Sequence, residues 1–131
     1  MVKQKFPSLS DEVKIYRAII RRNGWIDPAT KDIHHKAFLL RLDRLTPDGK
    51  PNPEKKLSAA LSPEKACELF KGKTYGVIEI KVKDIRSLGL DVIQDSIDHL
   101  SIIEIPCDEQ SAKDFAIALV EKAKLFEWDL L

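Results

Sequence analysis

Two short stretches of the chain hold residue types that can do chemistry. "DSIDHL" (95–100) groups Asp95, Asp98 and His99, and "DIHHKAF" (32–38) groups Asp32, His34 and His35. A carboxylate beside an imidazole is the elementary acid/base pair: the carboxylate orients the ring, and the ring accepts or delivers the proton. The plainer role for such carboxylates is to close a turn by accepting from nearby backbone amides. His34 and His35 are adjacent, so on a strand they point to opposite faces. They share a metal only in a loop. With one other histidine in the chain, no metal site is expected.

Two glutamates also stand out, each between isoleucines: "GVIEI" (76–80) and "SIIEI" (101–105). Over 76–83, Gly76, Ile78, Ile80 and Val82 alternate with Val77, Glu79, Lys81 and Lys83. This predicts a strand with one buried and one wet face, and Glu79 in solvent beside lysines. Over 99–106 both faces carry isoleucine, as in a strand covered on both sides. Glu104 therefore continues an apolar face, either at the strand's exit or in a partly buried site.

These residues must be positioned by a single domain. The chain has 131 residues, of which 44% are hydrophobic and 33% charged. That suffices for one core and fits a well-solvated α+β domain spanning 1–131. The clearest helix is expected over 109–126, where Ala112, Phe115, Ala116, Leu119, Ala123 and Phe126 form one stripe after Pro106 and the cap Asp108. A shorter helix is expected over 63–71, with Ser62 as cap, Pro63 in the first turn and Gly72 at the close. The stretch 11–24 reads either as a helix capped by Ser10 and stopped at Asn23-Gly24 or, preferred for its middle, as a strand through the β-branched and aromatic residues of "VKIYRAII". Strands are also expected over 37–45, 57–61, 76–83 and 99–106. The stretch 84–92 reads as a turn of helix and a break at Gly89. The result is a mostly antiparallel sheet of four to six strands with the C-terminal helix on one face. "TPDGKPNPEKK" (46–56), with three prolines, reads as a flexible surface loop.

Charge is divided: residues 1–65 carry a net +6 and residues 66–131 a net −5. The halves either complement each other or make a two-ended molecule. Without aromatic interleaving or a longer basic run than Arg21-Arg22, nucleic-acid binding is not indicated. No apolar run approaches the roughly 20 residues that span a bilayer, and the amino terminus lacks a signal-peptide core. A cytoplasmic location follows as the expectation, with Cys67 and Cys107 as buried, reduced thiols. Phosphate-loop, dinucleotide-fingerprint, zinc-protease and nucleophile-elbow motifs are absent. Trp25 and Trp128 are core or subunit-contact aromatics in this reading. The apolar tail "FEWDLL" makes Trp128, Leu130 and Leu131 interface candidates.

Two resemblances complete the reading. The fragments "YRAI" (16–19), "AF" (37–38), "LS" (57–58), "SPEKA" (62–66), "GVIEI" (76–80), "LGLDV" (88–92) and "DHLSI" (98–102) resemble a group of small bacterial proteins that carry no assigned activity. The order of parts is also similar to the compact ADP-ribosyltransferase layout. That resemblance implies Arg17 as the cofactor-holding cation, Ser58 as the serine at the nicotinamide end and Glu104 as the catalytic carboxylate, with NAD as cofactor. The family's Ser-Thr-Ser is not reproduced, since Ala59 and Ala60 follow Ser58, and Ile102 stands where a second glutamate belongs. The primary expectation is thus a non-catalytic protein-interaction module, meeting a protein partner or a second copy of itself. The transferase-like enzyme is the alternative.

Overall fold

A computed structural model describes residues 6–20, 30, 32–68 and 74–127. In chain order it has β1 (Lys14–Ile20), a 3₁₀ turn (His35–Phe38), β2 (Leu57–Ala59), α1 (Pro63–Glu68) and β3 (Thr74–Lys81). There follow α2 (Val82–Arg86), β4 (Asp91–Ser96), β5 (His99–Ile103), α3 (Glu109–Lys122) and β6 (Lys124–Glu127). The six strands form two three-stranded sheets, ordered β1-β3-β6 and β2-β5-β4, and every strand pair is antiparallel. Among the described residues a single bridge joins them: Tyr16 and Ala60 exchange backbone hydrogen bonds of 2.9 Å in both directions. The fold is α+β, as the periodicities require.

One core lies between the sheets and α3. Ile15, Ile19, Ile78 and Ile80 come from the first sheet, and Leu57, Val92, Leu100 and Ile102 from the second. Ala112, Ala116 and Leu119 complete it from α3, which packs against the 3₁₀ turn carrying buried Phe38. Two small residues on the buried stripe of α3 let the helix approach closely, and each fully buried aliphatic side chain contributes about 1.5–3 kcal/mol. Asp108 accepts from the Ser111 amide at 2.9 Å and caps α3 as its position predicts. Ser62 Oγ likewise accepts from Lys65 N at 3.2 Å at the start of α1.

Several expectations need correction. The long helix stops at Lys122 instead of 126, because Ala123 turns extended and Lys124–Glu127 pair with β3. The alternation of Leu125 and its neighbours fits a strand as well as a helix, and an open edge of β3 decides between them. Residues 37–45 form no strand. They give the end of the 3₁₀ turn and an irregular segment that buries Leu40 and is laced to the following loop through Glu54 N→Arg41 O (3.0 Å) and Asn52 N→Arg44 O (2.8 Å). That loop turns tightly at Gly49, whose φ of +84° suits glycine. Cys107 is exposed and Cys67 half-buried, against the expected burial of both, and neither is joined in a disulfide. The interface candidates Trp128, Leu130 and Leu131, together with Trp25, lie outside the described residues, as does the predicted close of α1 at Gly72. Among the described residues no helix is long and apolar enough to cross a membrane.

The divided charge is partly neutralised within the molecule. Five ion pairs among the described residues link the two halves: Lys56–Asp95, Lys65–Asp98, Lys65–Glu68, Glu12–Lys81 and Asp11–Arg86. The cation comes from the basic half in the pairs of Lys56 and Lys65, and from the acidic half in those of Lys81 and Arg86.

Candidate functional site

Glu79 overturns its expectation first. It is 5% exposed, because α1 covers the second face of β3 along with Tyr16, Ala18, Ala60, Ala66 and Val77. Strand register brings Tyr16, Glu79 and Lys124 into one row across β1, β3 and β6. The Glu79 carboxylate lies 3.3 Å from Lys124 Nζ and accepts from the Tyr16 hydroxyl. Burial, and then the charge of Glu79, push the Tyr16 phenol above its ordinary range. This row supports the sheet and is closed to solvent on the Glu79 side.

Arg17 falls between Ile15 and Ile19 on the core-facing side of β1, so its guanidinium must find partners inside the fold. Nε and one terminal nitrogen donate to the Ala37 carbonyl at 3.1 and 2.7 Å, and the other terminal nitrogen donates to the Ser58 carbonyl. The guanidinium also lies 5.5 Å over the Phe38 ring. Burial lowers its pKa to about 10, with Glu54 acting in the opposite sense, so it remains charged at neutral pH. Arg17 and Ser58 are thus brought together, through the serine's backbone. Glu104 lies three residues beyond Ser101, the register partner of Ser58. It is exposed, just past the end of β5, at φ +76°. The exit position is the one of its two expected placements that the fold adopts.

The acid/base cluster is assembled by the β4–β5 hairpin. Register slips between Gln94 and Ser96, and Asp95, two residues beyond Ile93, lies with Ser101 on the outer face of the β2-β5-β4 sheet. His99 Nδ1 lies 2.5 Å from Asp95 Oδ1, and Ser101 Oγ donates to Asp95 Oδ2 at 2.6 Å. Lys56 Nζ approaches the same Oδ2 at 3.4 Å. Desolvation pushes the Asp95 carboxyl up, but the hydrogen bonds from Ser101 and His99 outweigh it and hold the group below the usual carboxylate range. An ionised carboxylate can only accept, so Nδ1 carries the proton and Nε2 is directed elsewhere. Ser101 is fully buried and donates to Asp95, not to the imidazole, so the three residues do not form a serine-nucleophile relay.

His34 and His35 take structural positions at the 3₁₀ turn. His34 Nδ1 accepts from Lys36 N at 3.0 Å, and the two rings stack at 4.2 Å. Burial, then the neighbouring His34, lowers the His35 pKa and favours its neutral form. Among the described residues no group of three or more His, Cys, Asp or Glu side chains is placed to hold a metal. Lys56 and Ser101 escaped sequence reasoning as members of the cluster. The available signal was Ser101 sharing a strand face with His99 in "HLSII".

Ile93, the register partner of Ser101 on the outer face of the β2-β5-β4 sheet, is 41% exposed, and Ile97 in the adjoining hairpin turn is 74% exposed. Asp91 and Asp98 flank them. Comparison with family models, curated proteins and solved structures finds no match.

Proposed function

We propose that this chain is a protein-interaction module that meets its partner on the outer face of the β2-β5-β4 sheet. The observation that carries the reading is the exposure of Ile93, on a sheet face whose opposite side forms the core, and of Ile97 in the adjoining turn. Isoleucines of adjacent turn and strand suit a polypeptide presenting aliphatic side chains. The partner is expected to lie over the face and not to extend the sheet from its β4 edge. That edge is blunted: the Val92 amide accepts no incoming strand because it donates to Asp91 Oδ1 at 2.8 Å, and Arg86 grips the same carboxylate at 2.9 Å. The test is affinity capture from cell extract with wild type and an Ile93→Lys/Ile97→Lys variant. A specific partner retained by wild type and lost by the variant supports the reading. A partner captured equally by both places the contact elsewhere.

A second reading, an ADP-ribosyltransferase-like enzyme binding NAD, draws on the meeting of Arg17 and Ser58. The guanidinium's bonds to the Ala37 and Ser58 carbonyls favour a structural role for it instead. Thermal unfolding with added NAD separates the readings. A ligand at a hundredfold its dissociation constant stabilises by about 2.7 kcal/mol, a shift of several degrees. The interaction reading expects no shift at millimolar NAD.

A further inference from the structure

We propose that His99 is a general base that activates water against an acyl ester bound on the outer face of the β2-β5-β4 sheet. The inference goes beyond the interaction role and does not rest on it. Three features carry it. First, the Asp95 carboxylate fixes the ring: at 2.5 Å it takes the Nδ1 proton, which leaves the Nε2 lone pair as the basic site. Second, Nε2 has no partner among the described residues, while the ring is about one-third exposed at 31%. A substrate can therefore reach it, yet the imidazole is not tumbling freely in water. Third, Asp95 is itself held on its other oxygen by buried Ser101 and by Lys56, so the dyad is braced by groups from both neighbouring strands or their flanks. A carboxylate serving merely as a turn closure would accept from backbone amides. Asp95 accepts from its own amide and, beyond that, from three side-chain donors.

The chemistry is proton transfer. Nε2 accepts a proton from water as the water oxygen bonds to the carbonyl carbon. The tetrahedral adduct then expels the alcohol, and the imidazolium returns its proton to the leaving oxygen, giving acid and alcohol with His99 restored. Asp95 steadies the transient imidazolium and acts as a positioning residue. Lys56, 55% exposed on its side chain, is the nearest ammonium for the single oxyanion that forms. One mobile cation suits an acyl centre better than a phosphoryl group, whose charge is spread over three oxygens.

The test is hydrolysis of p-nitrophenyl acetate by the full chain, with an equal concentration of free imidazole as reference. Wild type is expected to exceed imidazole and to react more slowly in D2O, since a proton moves in the transition state. His99→Gln and His99→Asn are both expected to lose about 100-fold. A His34→Gln/His35→Gln double variant, which removes the remaining histidines, should keep the wild-type rate. Asp95→Asn should lower kcat while leaving KM unchanged, and ¹⁵N spectra of His99 should show the fixed tautomer become mixed. Hydrolysis that survives both His99 variants overturns the proposal. So does an acyl-imidazole burst without an isotope effect, which would make His99 a nucleophile.

Discussion

Asp95 and His99 meet at 2.5 Å across the β4–β5 hairpin, on the outer face of the β2-β5-β4 sheet. Alternation along β4 puts Asp95 on the same face as Ile93, the register partner of Ser101, so the imidazole and the serine hydroxyl both reach its carboxylate from β5.

The first prediction concerns that carboxylate. Replacing Asp95 with Ala strands the fully buried Ser101 hydroxyl and should cost about 1–3 kcal/mol in urea unfolding at neutral pH. The folded-state pKa of Asp95 is depressed, so its contribution is full above the ordinary aspartate value of about 4 and is lost as pH falls through the lower folded value. The gap between wild type and Asp95→Asn should therefore narrow below about pH 4. A gap that is constant from pH 7 to pH 3 would show that the charge plays no part.

Arg17 ties β1 to both the 3₁₀ turn and β2 through the Ala37 and Ser58 carbonyls. Arg17→Ala should lose about 3 kcal/mol without any ligand present, since it removes charged donors from carbonyls that remain in place. Lysine has the charge but not the fork, so Arg17→Lys should recover only part of the loss. Full stability in Arg17→Ala would free the residue for a role in ligand binding.

The Tyr16–Glu79 pair makes a prediction in base. The folded-state pKa of Tyr16 is raised, so its contribution is complete below the ordinary tyrosine value of about 10 and disappears as pH climbs through the raised value. Between pH 9 and 11, wild type should lose more stability than Tyr16→Phe. Equal losses would mean that the phenol and carboxylate are not coupled.

Glu104 sits at φ +76°, a conformation that costs a residue with a β-carbon about 1 kcal/mol. Glu104→Gly relieves this and at the same time loosens the unfolded chain. Stability should stay level or rise by up to about 1 kcal/mol. A marked drop would reveal contacts for the carboxylate that its exposed position does not suggest.

Much of the fold was legible in local pattern, and the departures have identifiable causes. Asp108 and Ser62 announced their helices because capping is a short-range interaction between a side chain and the next turn. The strand at 14–20 could be read from its β-branched residues. Residues 37–45 misled because their leucines serve an irregular segment in the core, where burial follows the neighbours and not a pleat. Glu79 misled for a related reason: alternation tells which residues share a face, but not whether α1 will cover that face. Asp95 and His99 were visible as a pair. Ser101 and Lys56 were not, because the register of β2, β4 and β5 brings them in from other strands. Arg17 and Ser58 were associated by resemblance alone, and the contact between them is through backbone that sequence does not advertise.

The central claim is that the chain meets a partner on the outer face of the β2-β5-β4 sheet. Photo-crosslinking tests it most directly, with a photoreactive residue placed at Ile97 in one variant and at Ile117 in another. Ile117 is also exposed, at 39%, but lies on α3. After irradiation in cell extract, the account predicts a discrete adduct with one polypeptide from position 97 and none from position 117. A discrete adduct from position 117 with none from position 97 would contradict it.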